Sequence, residues 1–196
     1  MDVSFEQTIK TKLRKIYLKI YYGVHELKSA TKKLYMKSFK IHHQYNFPTH
    51  DVAIITTNGI FEYSNEVGPV CLPNILDQEL LNNEKILGMG WGRTKTTSFS
   101  NVLKENLFTI ISDKACRKFY AQNLDSSIMC TRDDPGESIC QGDSGSAVGK
   151  IENDRFTLYG IVSFTGIDCS KGSPTGFTQI LPHLDWIMSH IDMDSQ

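Results

Sequence analysis

The hydrophobic residues of this chain recur mostly at every second position, in short patches bounded by turn-forming residues. This period is typical of β-strands, whose side chains point alternately to the two faces of a sheet. The connector at residues 67–73 contains two prolines and is expected to be extended. The patches predict strands at residues 16–22, 35–41, 51–55, 86–89, 103–111, 146–150, 156–164 and 176–179.

One segment has the spacing of an amphipathic helix. Between residues 181 and 191, Leu184, Ile187, Met188 and Ile191 fall on the same helical face. Many short strands with turn signals and a single terminal helix indicate an all-β barrel or sandwich. The longest apolar runs are too short to cross a bilayer, so we expect no membrane partner.

The composition of the chain supports a folded core. Its 196 residues are 40% hydrophobic, and the formal net charge is -1, which excludes wholesale disorder and argues against a nucleic-acid partner. Residues 1–40, however, hold ten Lys or Arg against three Asp or Glu. Such an arm could bind polyanions, and heparin retention would then weaken steeply with salt. The period-2 pattern at residues 16–22 favours a solvated strand instead, and the first residues lack the layout of a signal peptide.

The five cysteines contain no CxxC pair, and their spacing argues against a zinc site, so we expect no metal and no cofactor. Two local loops could be closed by disulfides, which would leave one thiol over and would indicate an oxidising compartment. The alternative is five free thiols in a cytosolic protein. The pairs in the first interpretation are Cys116 with Cys130 and Cys140 with Cys169, and the residue left alone is Cys71.

The strongest chemical signal is the segment at residues 140–146, which reads Cys-Gln-Gly-Asp-Ser-Gly-Ser. Its small residues suit a tight turn that exposes the hydroxyl of Ser144 and lets backbone N–H groups converge on the same point. That arrangement serves a nucleophile with an oxyanion hole beside it. An ordinary Gly/Ser/Asp turn is the alternative interpretation.

Other segments set this turn in a wider context, and together they resemble the trypsin/chymotrypsin family of serine endopeptidases from about residue 8 to the C-terminus. The resemblance implies a double antiparallel β-barrel, with residues 1–75 as a partial first barrel and linker. Residues 76–196 would form the second barrel and a terminal helix at about 181–191. The first barrel is expected to be incomplete, because the family's strands before its catalytic histidine have no counterpart here. The segments that carry the resemblance, besides the serine turn, are Asp51-Val52-Ala53-Ile54-Ile55, Val70-Cys71-Leu72-Pro73, Gly90-Trp91-Gly92, Ile161-Val162-Ser163-Phe164 and Trp186-Ile187.

The resemblance also assigns roles to individual residues. It implies that Ser144 is the nucleophile and that the backbone N–H groups of Gly142 and Ser144 form the oxyanion hole. Asp51 would be the acid that orients the catalytic imidazole, and Asp143 the switch that pairs with a freshly cleaved N-terminus. The two disulfides named above match family pairs, whereas a third family pair falls on Ile86 and Lys150.

The substrate pocket can be interpreted in the same way. Ser138 would lie at the pocket floor in place of a carboxylate, so a preference for Lys or Arg is not expected. Thr165 and Thr175 would narrow the slot, as in the elastase type, and Phe164 would form an aromatic wall. Ser163 and its two successors would pair with the substrate backbone. The resemblance thus implies a secreted enzyme that cleaves proteins or peptides after a small uncharged residue, and a protease inhibitor is a possible partner.

The sequence departs from the family at the general base and at the activation terminus. No small-small-His-Cys stretch is present. His50 should point to the opposite face from Asp51, and His42 or His43 would be the remaining substitutes. His25, His183 and His190 are expected to be solvated or packed. Without its N-terminal partner, the Asp143 carboxylate is expected to turn outward. We therefore expect this chain to be inactive, and the alternative function is a non-catalytic homologue that binds proteins.

Overall fold

The computed structural model describes residues 18–74, 83–94, 97, 99–120, 124–133, 139–166 and 173–191. This part of the chain is mostly β-structure, with nine strands, two short α-helices and two 3-10 turns. The strands are β1 (Lys19–Tyr21), β2 (Lys33–Ile41), β3 (Ala53–Thr57), β4 (Lys85–Gly90), β5 (Lys104–Ile111), β6 (Ile128–Asp133), β7 (Ala147–Glu152), β8 (Arg155–Phe164) and β9 (Thr175–Gln179). The helices are α1 (Asp113–Phe119) and α2 (Leu184–Ile191).

The first three strands form an open antiparallel sheet with β2 in the centre. Ile20 pairs with Leu34 between β1 and β2, and Phe39 pairs with Ile55 between β2 and β3. None of the residues in these three strands is fully buried. The expected incomplete first barrel therefore corresponds to this open sheet in the described part of the chain.

The other six strands form a closed barrel in the order β4-β5-β6-β9-β8-β7, in which every neighbouring pair is antiparallel. Its interior is filled by buried apolar side chains, and buried positions alternate with more exposed ones along β4. Removing these side chains from water supplies the main driving force for closing the barrel. The core residues are Ile86, Phe108, Ile110, Met129, Ile139, Val148, Val162 and Phe177.

Helix α1 packs against β6 of this barrel. In α1, the hydroxyl of Ser112 caps the first turn by accepting the backbone N–H of Ala115 at 3.3 Å. The buried Cys116 of α1 forms a disulfide with Cys130 of β6, as predicted. The predicted terminal helix is confirmed, although its first turn, Leu181–His183, is a 3-10 turn that precedes α2.

The sequence pattern missed β6 and α1 and placed several strand ends one or two residues away from those observed. Residues 128–131 are all buried, so that β6 shows no alternation. Helix α1 has seven residues, of which only Cys116 is buried. The predicted strand at residues 51–55 begins later, because Asp51 and Val52 precede β3. Part of the predicted strand at 16–22 lies outside the described residues.

The connector between the sheet and the barrel runs along β8. The backbone N–H of Cys71 donates to Phe156 at 3.0 Å, and the N–H of Leu158 donates to Cys71 at 2.9 Å. The connector is thus extended, as predicted, and Cys71 is a free thiol. The predicted domain boundary between residues 75 and 76 stays a prediction, because residues 75–82 lie outside the described part. In the part that is described, no helix has the length and apolar character needed to span a membrane.

Candidate active site

Ser144 lies in a tight turn between β6 and β7. Gly142 and Gly145 on either side have φ angles of 95° and 86°, a left-handed region that glycine enters without steric cost. The N–H of Gly145 donates to the carbonyl of Val162 at 2.8 Å, and the N–H of Val162 donates to Ser146 at 2.9 Å. The turn is therefore fixed to β8 and leaves the side chain of Ser144 exposed.

Two backbone donors of this turn have no acceptor. Among the described residues, the N–H groups of Gly142 and Ser144 donate to no other group, whereas those of Asp143, Gly145 and Ser146 are all bonded. A pair of unbonded N–H groups beside a hydroxyl is the arrangement that stabilises a developing oxyanion. These are the two donors that the sequence analysis named.

The carboxylate of Asp143 is buried, and the expectation that it would turn outward is wrong. It accepts the N–H of Gly92 at 2.8 Å and the N–H of Cys140 at 3.1 Å. These charge-assisted hydrogen bonds replace the water that the buried carboxylate loses. A Cβ atom at Gly90 or Gly92 would collide with the carboxylate, so both glycines make room for it. The sequence analysis did not assign a role to these two glycines.

Asp51 is held by the barrel, although it belongs to the sheet half of the sequence. Its carboxylate accepts the hydroxyl of Ser163 at 2.7 Å, and its backbone carbonyl accepts the hydroxyl of Thr178 at 2.9 Å. Burial raises the pKa of Asp51, and the hydrogen bond from Ser163 offsets part of that rise. Ser163, expected to contact the substrate, thus uses its side chain to position Asp51.

Strand β8 holds both candidate groups through adjacent residues. Val162 bonds the Ser144 turn through its backbone, and Ser163 bonds the Asp51 carboxylate through its hydroxyl. The two segments are 93 positions apart in the sequence, yet a single strand fixes both of them. The structure therefore fixes the turn of an exposed serine and a half-buried carboxylate to two adjacent residues of one strand.

All six histidines lie in the described part of the chain, and none of them hydrogen-bonds to Asp51 or Ser144. The strand argument for His50 does not apply, because its φ of 52° is left-handed and β3 begins three residues later. Three rings instead gather around the start of the terminal helix, and the sequence analysis missed this cluster. They belong to His42, His50 and His183.

Two histidines of the cluster, His42 and His183, have lowered pKa values. Burial, together with the neighbouring rings of His183, His50, His43 and His190, lowers the pKa of His42 to about 4. Burial also lowers the pKa of His183, against the opposing hydrogen bond to the carbonyl of Gln179. The neighbouring Asp125 is partly buried, which raises its pKa, but hydrogen bonds from Ser127 outweigh this, so that the pKa of Asp125 is lowered.

The predicted pocket residues are only partly described. The hydroxyls of Thr165 and Thr175 face each other at 3.4 Å, and Thr175 is fully buried. The ring of Phe164 packs edge-on against Tyr120 with the ring centres 4.9 Å apart. Ser138 and Cys169 lie outside the described residues. Cys140 is disulfide-bonded, and its predicted pairing with Cys169 stays a prediction.

The sequence profile described as Trypsin matches residues 11–187, which is most of the chain. The chain belongs to the trypsin family. The all-β fold with a closed barrel and a C-terminal helix agrees with this membership.

Three relatives are 27–35% identical to this chain over the aligned residues. A venom serine protease of Polistes dominula is 32% identical over 163 residues, covering 81% of this chain and 58% of the relative. A proclotting enzyme of Tachypleus tridentatus is 35% identical, covering 79% of this chain and 43% of the relative. An inactive CLIP domain-containing serine protease A8 of Anopheles gambiae is 27% identical, covering 78% and 44%. The chain thus spans about half the length of these curated relatives.

Proposed function

We propose that this chain carries the nucleophile half of a serine endopeptidase and does not hydrolyse peptides by itself. In this assignment Ser144 is the nucleophile, Asp51 orients a base, and the N–H groups of Gly142 and Ser144 receive the oxyanion. The observation that carries the proposal is the exposed Ser144 turn, with its two unbonded N–H groups, on the same strand that holds Asp51.

The inactivity of the 196-residue chain follows from the positions of its histidines. A serine hydroxyl becomes nucleophilic at neutral pH when an adjacent base removes its proton. None of the six histidines bonds to Ser144, and three of them are engaged with one another near α2. Loss of one triad member lowers turnover on the order of a millionfold in a comparable protease.

The test is covalent labelling of Ser144 by a fluorophosphonate probe, read by intact-protein mass spectrometry. We expect the 196-residue chain to label no faster than its Ser144→Ala variant, because the probe requires an activated hydroxyl. Labelling of the original chain that is lost in Ser144→Ala would overturn the assignment of inactivity. In that case His42→Gln and His43→Gln would identify the histidine that reaches the nucleophile.

The pocket supports a preference for a small uncharged residue before the scissile bond. Thr165 and Thr175 project hydroxyls toward each other where a wide pocket needs open space, and Ser138 supplies no carboxylate for a basic side chain. The substrate would then be a protein or peptide. The venom serine protease and the proclotting enzyme among the relatives support an extracellular setting. In a form of the protein that carries a base, Thr165→Gly with Thr175→Gly should shift cleavage toward larger residues.

A second function is favoured by one comparison. The Anopheles gambiae relative is named inactive, and a homologue without catalysis could act as a protein-binding module. N-terminal peptide mass spectrometry of the natural protein separates the two functions. A start at Met1 supports the binding module, whereas an upstream segment with a histidine that permits probe labelling of Ser144 supports the endopeptidase.

A further inference from the structure

Three imidazole rings, two from the connection between β2 and β3 and one from the turn before α2, meet at the junction of the open sheet and the barrel. His42 follows β2, His50 precedes β3, and His183 lies in the 3-10 turn before α2. One ring nitrogen from each lies within 4.8 Å of the other two. His42 and His183 are only 6% and 1% exposed. Neutral imidazole is the commonest protein ligand for metal ions, and a metal ion can accept the lone pairs of several rings at once.

We propose that His42, His50 and His183 bind a divalent transition-metal ion, for which Zn²⁺ is the best-matched metal. Three imidazole nitrogens with an open fourth position form a known type of zinc coordination, with Zn–N bonds of roughly 2.0–2.1 Å. Imidazole ligands select zinc, copper or nickel over magnesium and calcium, which prefer oxygen. The side chain of His50 is 24% exposed, which leaves a route for the ion and a place for a water as the fourth ligand.

One ring already has the outer hydrogen bond that orients a metal ligand, and a second ring faces a carboxylate. Nδ1 of His183 lies 2.6 Å from the carbonyl of Gln179, which can only accept, so the Nε2 of His183 keeps its lone pair for the ion. Nδ1 of His50 lies 3.0 Å from that Nε2, and the Nε2 of His50 faces the carboxylate of Asp125 at 3.7 Å. Metal-binding histidines usually donate their other N–H to a carbonyl or a carboxylate in this way.

The contacts of His50 are compatible with a metal ligand. With its proton on Nε2, which faces Asp125, the Nδ1 lone pair of His50 and the Nε2 lone pair of His183 meet 3.0 Å apart. A cation between these two nitrogens satisfies both lone pairs, as does a second proton on His50. The left-handed backbone of His50 is an unusual conformation for a residue with a side chain, and such conformations cluster at functional sites.

His42 is the ring that must move to complete the site. Its Nδ1 accepts a long hydrogen bond of 3.3 Å from the backbone N–H of Gln44, and rotation of the ring transfers that lone pair to the ion. Nitrogens on one tetrahedral zinc are roughly 3.3 Å apart, whereas the three ring nitrogens lie within 4.8 Å of one another, so His42 must approach and turn out of its stacked contact with His50. The ion would tie the segment before Asp51 to the start of α2.

The test is calorimetric titration of Zn²⁺ into the 196-residue chain. We expect one site, and a melting temperature about 5–10 °C higher when free zinc is a hundredfold above its dissociation constant. His50→Asn, which keeps a residue that tolerates a left-handed backbone, should weaken binding more than about a hundredfold. Asp125→Asn should weaken it roughly 10–100-fold by removing the negative charge that faces His50. Mg²⁺ should give no shift.

The matched control is His43→Gln, because His43 stacks on His42 but does not belong to the cluster. This variant should bind zinc within about twofold of the original chain. His42→Phe keeps the aromatic contact with Trp186 and should lose binding while the metal-free chain still melts cooperatively. The proposal is overturned if the original chain shows no saturable zinc binding below millimolar concentration. It is equally overturned if His43→Gln weakens binding as much as His50→Asn does.

Discussion

A methyl group added at Gly92 should displace the buried carboxylate of Asp143. The three atoms closest to a Cβ at Gly92 are the carboxylate atoms of Asp143, at 2.2–2.5 Å, and the added methyl group would overlap with them. The same carboxylate accepts the N–H of Gly92 at 2.8 Å and the N–H of Cys140 at 3.1 Å. Each hydrogen bond to a charged group contributes about 1.5–3 kcal/mol. We therefore expect Gly92→Ala to lower the free energy of unfolding by roughly 2–5 kcal/mol.

A double-mutant cycle isolates this cause. In an Asp143→Ala background the obstructing carboxylate is gone, so Gly92→Ala should then cost less than about 1 kcal/mol. Urea unfolding followed by tryptophan fluorescence measures all four proteins, with Gly68→Ala as the matched control. A Cβ at Gly68 has no atom within 4 Å, so this change should stay within about 0.5 kcal/mol. If the costs of Gly92→Ala and Asp143→Ala simply add, the steric argument is refuted.

Three further outcomes follow from the described contacts. Ser163→Ala should destabilise the chain by about 1.5–3 kcal/mol in urea unfolding, because the Asp51 carboxylate loses its hydroxyl donor. Ile86→Ala, at a core position with no exposed surface, should cost about 2–5 kcal/mol, whereas Ile151→Ala, 66% exposed, should change the unfolding midpoint little. Replacing Cys116 and Cys130 by serine should cost about 3 kcal/mol in thermal unfolding, and an unchanged melting temperature would contradict a stabilising disulfide.

The sequence pattern predicted those parts of the fold in which one side of a strand is buried. In β4 the burial alternates, and this strand was found. In β6 the neighbouring Met129, Cys130 and Thr131 are all buried, because the barrel interior covers one face of the strand and α1 with Leu124 covers the other. No period-2 signal marks such a strand. The short helix α1 was missed because it has no apolar stripe: it buries only Cys116.

The site was predictable only where a local motif carries the chemistry. The segment around Ser144 predicts a turn bounded by Gly142 and Gly145, and both unbonded N–H groups lie within this turn. By contrast, Gly92 and Asp143 are 51 positions apart, and His50 and His183 are 133 positions apart. These contacts arise when the sheet, the barrel and the terminal helix pack together. No spacing rule along the chain can detect them.

The two candidate groups of the proposed site, Asp51 and Ser144, depend on different parts of the protein for their positions. Thr178 and Ser163 of the barrel hydrogen-bond to Asp51. The backbone on both sides of Asp51, however, continues into β2 and β3 of the open sheet. Fraying of that sheet would withdraw the carboxylate while leaving the Ser144 turn, bonded to Val162, in its place. Hydrogen exchange would register two rates, fast at Val52 beside Asp51 and slow at Gly145 and Val162, whose bonded N–H groups fix the serine turn. The contact between Asp51 and the barrel therefore depends on the stability of the open sheet, although the bonds that hold its carboxylate and carbonyl come from the barrel.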